Sequence, residues 1–118
     1  MKCEEREMNL DEKKCVPCKT TGPTLTVEEQ AALFPQLNDD WEIVADHHLK
    51  RLFTFPDFKE ALAFTNTLGE IAETEGHHPI IELTWGKVGV EIWTHKRDGL
   101  MEADFILAAK YDKAFNAC

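Results

Sequence analysis

A chain of 118 residues, 43% of them hydrophobic, suits one compact domain able to bury a core without disulfide staples. Its formal net charge of -9 opposes direct binding to nucleic acid, where affinity rests on Lys and Arg neutralising phosphates. No apolar run is long enough to span a bilayer. The N-terminal Met-Lys-Cys-Glu-Glu-Arg-Glu lacks the apolar segment of a signal peptide and is too acidic for a transit peptide, so a cytoplasmic protein without a membrane partner is expected.

Residues 1–23 are mostly polar, show no sustained periodicity and end in Gly22-Pro23, which predicts a flexible N-terminal arm ahead of a domain spanning residues 24–118. Cys3, Cys15, Cys18 and Cys118 all lie near the ends, so they do not frame the fold. Cys15-Val16-Pro17-Cys18 is a C-x-x-C pair, but no second pair or zinc-spaced histidines complete a four-ligand set. Surface thiols in a tail are a better account of it than a metal or redox site.

Within the domain, Thr26 with Glu29 forms a capping box that starts a short helix from Val27 to Phe34, stopped by Pro35. Trp41–Ala45 and Leu49–Phe55 read as two strands joined through Asp46-His47-His48, with both histidines expected in an exposed loop. Phe53 and Phe55 share one face of the second strand. Lys50 and Thr54 take the other, beside Glu82 and Glu91 if the strands adjoin. Asp57 and Glu60 cap the next helix, on which Phe58, Ala61, Leu62, Thr65, Leu68 and Ala72 recur at helical spacing, and Gly76 ends it.

Ile80–Trp85 and Val88–Thr94 read as a hairpin around a Gly86-Lys87 turn. That turn would pair Trp85 with Val88, Leu83 with Val90 and Ile81 with Ile92 on a core-facing side. On the other side it would pair Glu82 with Glu91, Ile80 with Trp93 and His78 with His95. A last helix runs from about Leu100 to Phe115. The order α-β-β-α-β-β-α gives an α+β fold, a four-stranded antiparallel sheet with three helices packed on one face.

His77, His78 and His95 supply proton donors and acceptors that change roles near neutrality, which suits a proton-coupled elimination. Metal binding is the weaker reading, because adjacent His77 and His78 point to opposite sides of an extended backbone and a tetrahedral site needs converging ligands. No G-x-S-x-G, P-loop or dinucleotide glycine pattern is present, which leaves serine hydrolysis, nucleotide hydrolysis and a nicotinamide cofactor without support.

Glu73-x-x-x-His77-His78-Pro79, followed by Trp85, Thr94-His95, Gly99-Leu100 and Asp104, closely resembles the signature of the pterin-4a-carbinolamine dehydratases. The likeness covers Thr24 to Phe115 and includes Trp41 and Phe53-Thr54-Phe55 before Asp57-Phe58. It implies the fold given above and a homodimer, or a homotetramer of two dimers. The implied activity is removal of water from 4a-hydroxytetrahydropterin, the product left by an aromatic amino-acid hydroxylase pathway, to give quinonoid dihydropterin without metal or organic cofactor.

By the same resemblance His77, His78 and His95 are acid/base and binding groups and Asp104 orients one of them. Glu73, Gly76 and the backbone of Trp93, Thr94, His95 and Lys96 border the pterin. Two positions depart from the family pattern: Ile80 stands where an acidic or amide residue is common, and Met101 where Ser or Thr is common. A different class remains as the alternative, a pterin-binding or interaction module, since some relatives are associated with molybdopterin metabolism and some with dimerising a transcription factor.

Overall fold

The computed structural model describes residues 10–13 and 23–117. Its elements are α1 (Val27–Leu33), a 3₁₀ turn (Phe34–Gln36), β1 (Glu42–Val44), β2 (His48–Thr54), α2 (Phe58–Glu75), β3 (Ile80–Thr84), β4 (Lys87–Ile92) and α3 (Glu102–Asn116). The strands form one antiparallel sheet in the order β1-β2-β4-β3. This is the expected α+β architecture, with the helices on one face and the other face open.

Local chemistry accounts for the helix ends. Thr26 and Glu29 satisfy each other's backbone N–H groups at the start of α1. Asp57 accepts from Glu60 N at 2.9 Å to start α2, and Gly76 closes that helix at φ +67, where a side chain would be strained. Between Ala103 and Ala109 every residue of α3 is buried, so this helix is the centre of the core and not a surface helix with one apolar stripe. Tyr111 ties it to α2 by donating its hydroxyl to Leu68 O at 3.1 Å.

The alternation on β2 buries Leu49, Arg51 and Phe53 and exposes Lys50, Leu52 and Thr54. Arg51 is tolerated inside because its guanidinium donates to Asp112 at 2.6 Å and lies over the rings of Phe53 and Phe115. Asp112 also accepts from Trp41 Nε1 at 2.6 Å and Asn38 N at 2.9 Å, which locks the start of β1 to α3. On the open face Lys50 lies directly beside Glu91, as expected if β2 adjoins β4.

The β3–β4 register differs from the expected one by two residues. Thr84 pairs with Lys87, Leu83 with Val88 and Ile81 with Val90, so Trp85 and Gly86 form the turn instead of Gly86 and Lys87. Gly86 takes φ +71 at the second central position, which glycine adopts at little cost, and its carbonyl accepts from Phe55 N at 2.8 Å. A shift of two leaves every side chain on its own face, so Val88, Val90 and Ile92 are still buried. Trp85, expected in a core pair, is 68% exposed. Glu82 faces Gly89, and the like-charge pair with Glu91 does not form.

Of the segment expected to be an arm, Leu10–Lys13 and Pro23 are described. Leu10–Glu12 makes a single 3₁₀ turn with Leu10 buried in the core, Lys13 Nζ 3.0 Å from Glu102 and Asp11 O accepting from Lys110 Nζ at 2.9 Å. The four cysteines, and with them the C-x-x-C expectation, lie outside the described residues. No described helix is long and apolar enough to cross a membrane.

Candidate active site

The end of α2 delivers two histidines into different surroundings. Gly76 turns the chain out of the helix, and His77 N still bonds back to Ala72 O at 3.2 Å, so the His77 side chain is drawn inward and is 8% exposed. Pro79 then commits the backbone to extended structure and β3 begins at Ile80. His78 therefore stays outside. Its Nε2 lies 2.6 Å from Glu73 Oε2, one helical turn back on α2, with both side chains more than half exposed.

His77 meets the opening turn of α3. Asp104 is fully buried there, and its carboxylate accepts from His77 Nε2 at 2.5 Å, Thr94 Oγ1 at 2.9 Å and Met101 N at 2.7 Å. A negative group is favoured at this position, because the first N–H groups of a helix lack partners and point toward it. Met101, the N-cap, contributes no side-chain cap, so Asp104 alone supplies the back half of the capping arrangement. The carboxylate offers only acceptor atoms, which makes Nε2 of His77 the donor and leaves Nδ1 outside this bond.

Thr94 also anchors the loop bearing His95. Its backbone pairs with Gly99, with Thr94 N bonding Gly99 O at 2.9 Å and Arg97 N bonding Thr94 O at 3.0 Å. A Cβ on Gly99 would lie 2.9 Å from Thr24 Cγ2, which explains glycine there. The His95 ring is exposed and stacks on Trp93, with centroids 4.3 Å apart and planes 20° from parallel. Lys96 is exposed on the same loop.

Of the expected site residues, Asp104 bonds to His77, Glu73 bonds to His78, Trp93 stacks on His95, and Gly76 is the C-cap of α2. The directly opposed His78–His95 pair does not form, because the strands end at Ile80 and Ile92 and the register, carried further, would set Trp93 across from His78. Among the described residues no hydrogen bond joins the three imidazoles to one another. No group of three His, Cys, Asp or Glu side chains among the described residues could hold a metal ion. Alongside His78 an open groove of about 850 Å³ runs between α2 and β3, lined by Gly69, Ala72, Glu73, Pro79 and Ile81 among others.

Thr94 was expected to border the pterin through its backbone, whereas the donation of its hydroxyl to Asp104 was not expected, and neither were three further groups near the site. His47 and His48, read from the sequence as exposed loop residues, pack their rings 5.2 and 5.6 Å from Trp93, and His47 Nε2 reaches Asp98 at 2.8 Å. The signal for them lay in strand adjacency: once Leu49 pairs with Ile92, the residues before Leu49 must run beside Trp93.

Residues 23–114 match the family model described as pterin 4 alpha carbinolamine dehydratase. A protein of Alkaliphilus metalliredigens named for that dehydratase is 52% identical over 105 residues, 89% of this chain and 95% of its own length. One from Rubrobacter xylanophilus, named alike, is 51% identical over 104 residues, 88% of this chain and 96% of its own. A crystal structure from Brucella melitensis, titled as a transcriptional coactivator/pterin dehydratase, superposes with a TM-score of 0.71 at 31% identity, covering 76% of this chain and 96% of that one. By the extent of the match and the identity of these relatives, the chain belongs to the pterin 4 alpha carbinolamine dehydratase family.

Proposed function

We propose that this chain is a hydro-lyase that removes water from a 4a-hydroxytetrahydropterin, releasing quinonoid dihydropterin for recycling of the pterin cofactor. In that reaction the bond from C4a to its hydroxyl breaks and the leaving oxygen takes a proton. N5 of the pterin loses its proton, and the electron pair left behind closes the N5–C4a double bond. No electrons enter or leave, so two positioned acid/base groups suffice. Such groups typically contribute about 10²- to 10⁴-fold each.

The observation that carries the reading is the buried His77–Asp104 bond, 2.5 Å long, which holds one imidazole in a single tautomer with Nδ1 left for proton transfer. His78 and His95 are the other acid/base and binding groups, and Glu73, Gly76 and the Trp93–Lys96 backbone would border the pterin. Assembly as a homodimer or homotetramer in the cytoplasm, serving an aromatic amino-acid hydroxylase, belongs to the same proposal.

The test is dehydration of freshly generated carbinolamine by the wild type, His78→Ala and His95→Ala, with both variants expected to be slowed. Unchanged rates in both would count against the acid/base role. A second reading, a pterin-binding or protein-interaction module, draws on the Brucella title, which names a transcriptional coactivator beside the dehydratase. Pterin binding without any turnover by the wild type would favour it.

A further inference from the structure

Two turns in this fold hold non-glycine residues at positive φ. Ala45 and Asp46, at φ +53 and +55, form the turn between β1 and β2, and Asp98, at φ +53, lies in the loop after β4. Such backbone is unfavourable for side-chain-bearing residues and persists where surrounding contacts over-determine it. One side chain joins the two turns: His47 donates from Nε2 to Asp98 Oδ1 at 2.8 Å, and its Nδ1 lies 3.1 Å from His48 Nδ1.

Asp98 offers only acceptor atoms, so His47 donates from Nε2, and in its neutral form its Nδ1 accepts from His48 Nδ1. The buried Gln30 braces the same turn by donating to Asp46 O at 3.4 Å. Both imidazoles lean on Trp93, whose indole carries the stacked ring of His95. His95 makes no side-chain hydrogen bond among the described residues, so its orientation depends on that stack and on the loop ending at Asp98.

We propose that the β1–β2 turn is a positioning device for His95. His47, anchored on Asp98 and backed by His48, fixes the far end of the His95 loop and walls the indole on which His95 rests. His47 and His48 are positioning residues that act through Asp98 and Trp93. The role rests on the reading of His95 as a reacting or binding group under Proposed function.

The test compares full-length His47→Ala and His47→Gln with the wild type by amide hydrogen exchange at Arg97, Asp98 and Gly99 and by steady-state dehydration kinetics. A glutamine amide nitrogen can donate from near the place of Nε2. Loss of one exposed charge-linked hydrogen bond predicts about two- to fivefold faster exchange in this loop for His47→Ala, with the β2 and β4 core amides unchanged. The kcat should fall by a similar factor with KM changed less, and His47→Gln should restore most of both.

Asp98→Gly, which removes the acceptor and relieves the φ while leaving the His47 ring in place, should loosen the loop as His47→Ala does. Loop exchange at the wild-type rate in both His47→Ala and Asp98→Gly would overturn the latch. Faster exchange with an unchanged kcat would overturn the positioning role. A wild type without turnover, beside faster loop exchange in His47→Ala, would overturn the dehydratase reading while supporting the latch.

Discussion

His77 and His78 are neighbours in the chain and opposites in circumstance. His77 is buried and bonded to a carboxylate that two further donors also hold, so folding itself fixes its tautomer and direction. His78 is 59% exposed and rests on Glu73, which is 79% exposed, so water competes for both partners. One C-capping glycine and one proline produce the split, by turning the chain inward and then straightening it. The difference teaches that adjacent residues of one type can be given opposite surroundings, one ring fixed by the core and the other left in contact with water.

The most severe way to break the contrast is Asp104→Ala, which strands the donors of His77, Thr94 and Met101 in the interior. By analogy with a broken buried pair it should cost about 3 to 5 kcal/mol of stability, read from urea denaturation. A loss below about 1 kcal/mol would mean that Asp104 does not hold this corner together. Thr94→Val removes one donor only, and should cost about 1 to 3 kcal/mol by leaving part of the carboxylate unsatisfied.

On the exposed side, Glu73→Ala should change stability by less than about 1 kcal/mol, and the difference should shrink further in high salt. A cost as large as that of Thr94→Val would erase the distinction between the two histidines. The smallest effect is expected at Trp85→Ala, within about 0.5 kcal/mol, because the side chain projects from the hairpin turn. The register read from sequence, with Trp85 paired in the core, predicts several times more.

The helix ends and sheet faces were legible because each rests on local chemistry: the Thr26–Glu29 box, Asp57 with Glu60, Gly76 at the end of α2, and alternation along β2 and β4. Alternation fixes which face a residue takes but not its partner across the strand, so the hairpin could slip by two without disturbing the apolar pattern. The rotation of α2 was equally hidden. Phe58 and Leu62 are exposed, whereas Phe64 packs 4.9 Å from Phe53, a choice made by the rings of β2 and α3.

Within the candidate site, His77, His78, His95, Glu73 and Asp104 were singled out through the spacing of the family signature. Periodicity could not have joined Asp104 to His77, since every residue of α3 from Ala103 to Ala109 is buried and Asp104 lies on no distinct polar face. His47, His48 and Asp98 were missed because they lie in turns, and turns reveal their neighbours only when the strand order is known. Arg51 was missed in the same way, as a charge on the core face of β2 whose partner Asp112 lies 61 residues away.

The most direct test is kcat for dehydration of fresh 4a-hydroxytetrahydropterin by the wild type and by His77→Ala, measured together with pterin binding. A loss of about 10²-fold or more in kcat is expected, with binding largely retained, because one acid/base group is removed. Equal kcat values in the two proteins would contradict an acid/base role for His77, because the buried ring held by Asp104 would then move no proton in the reaction.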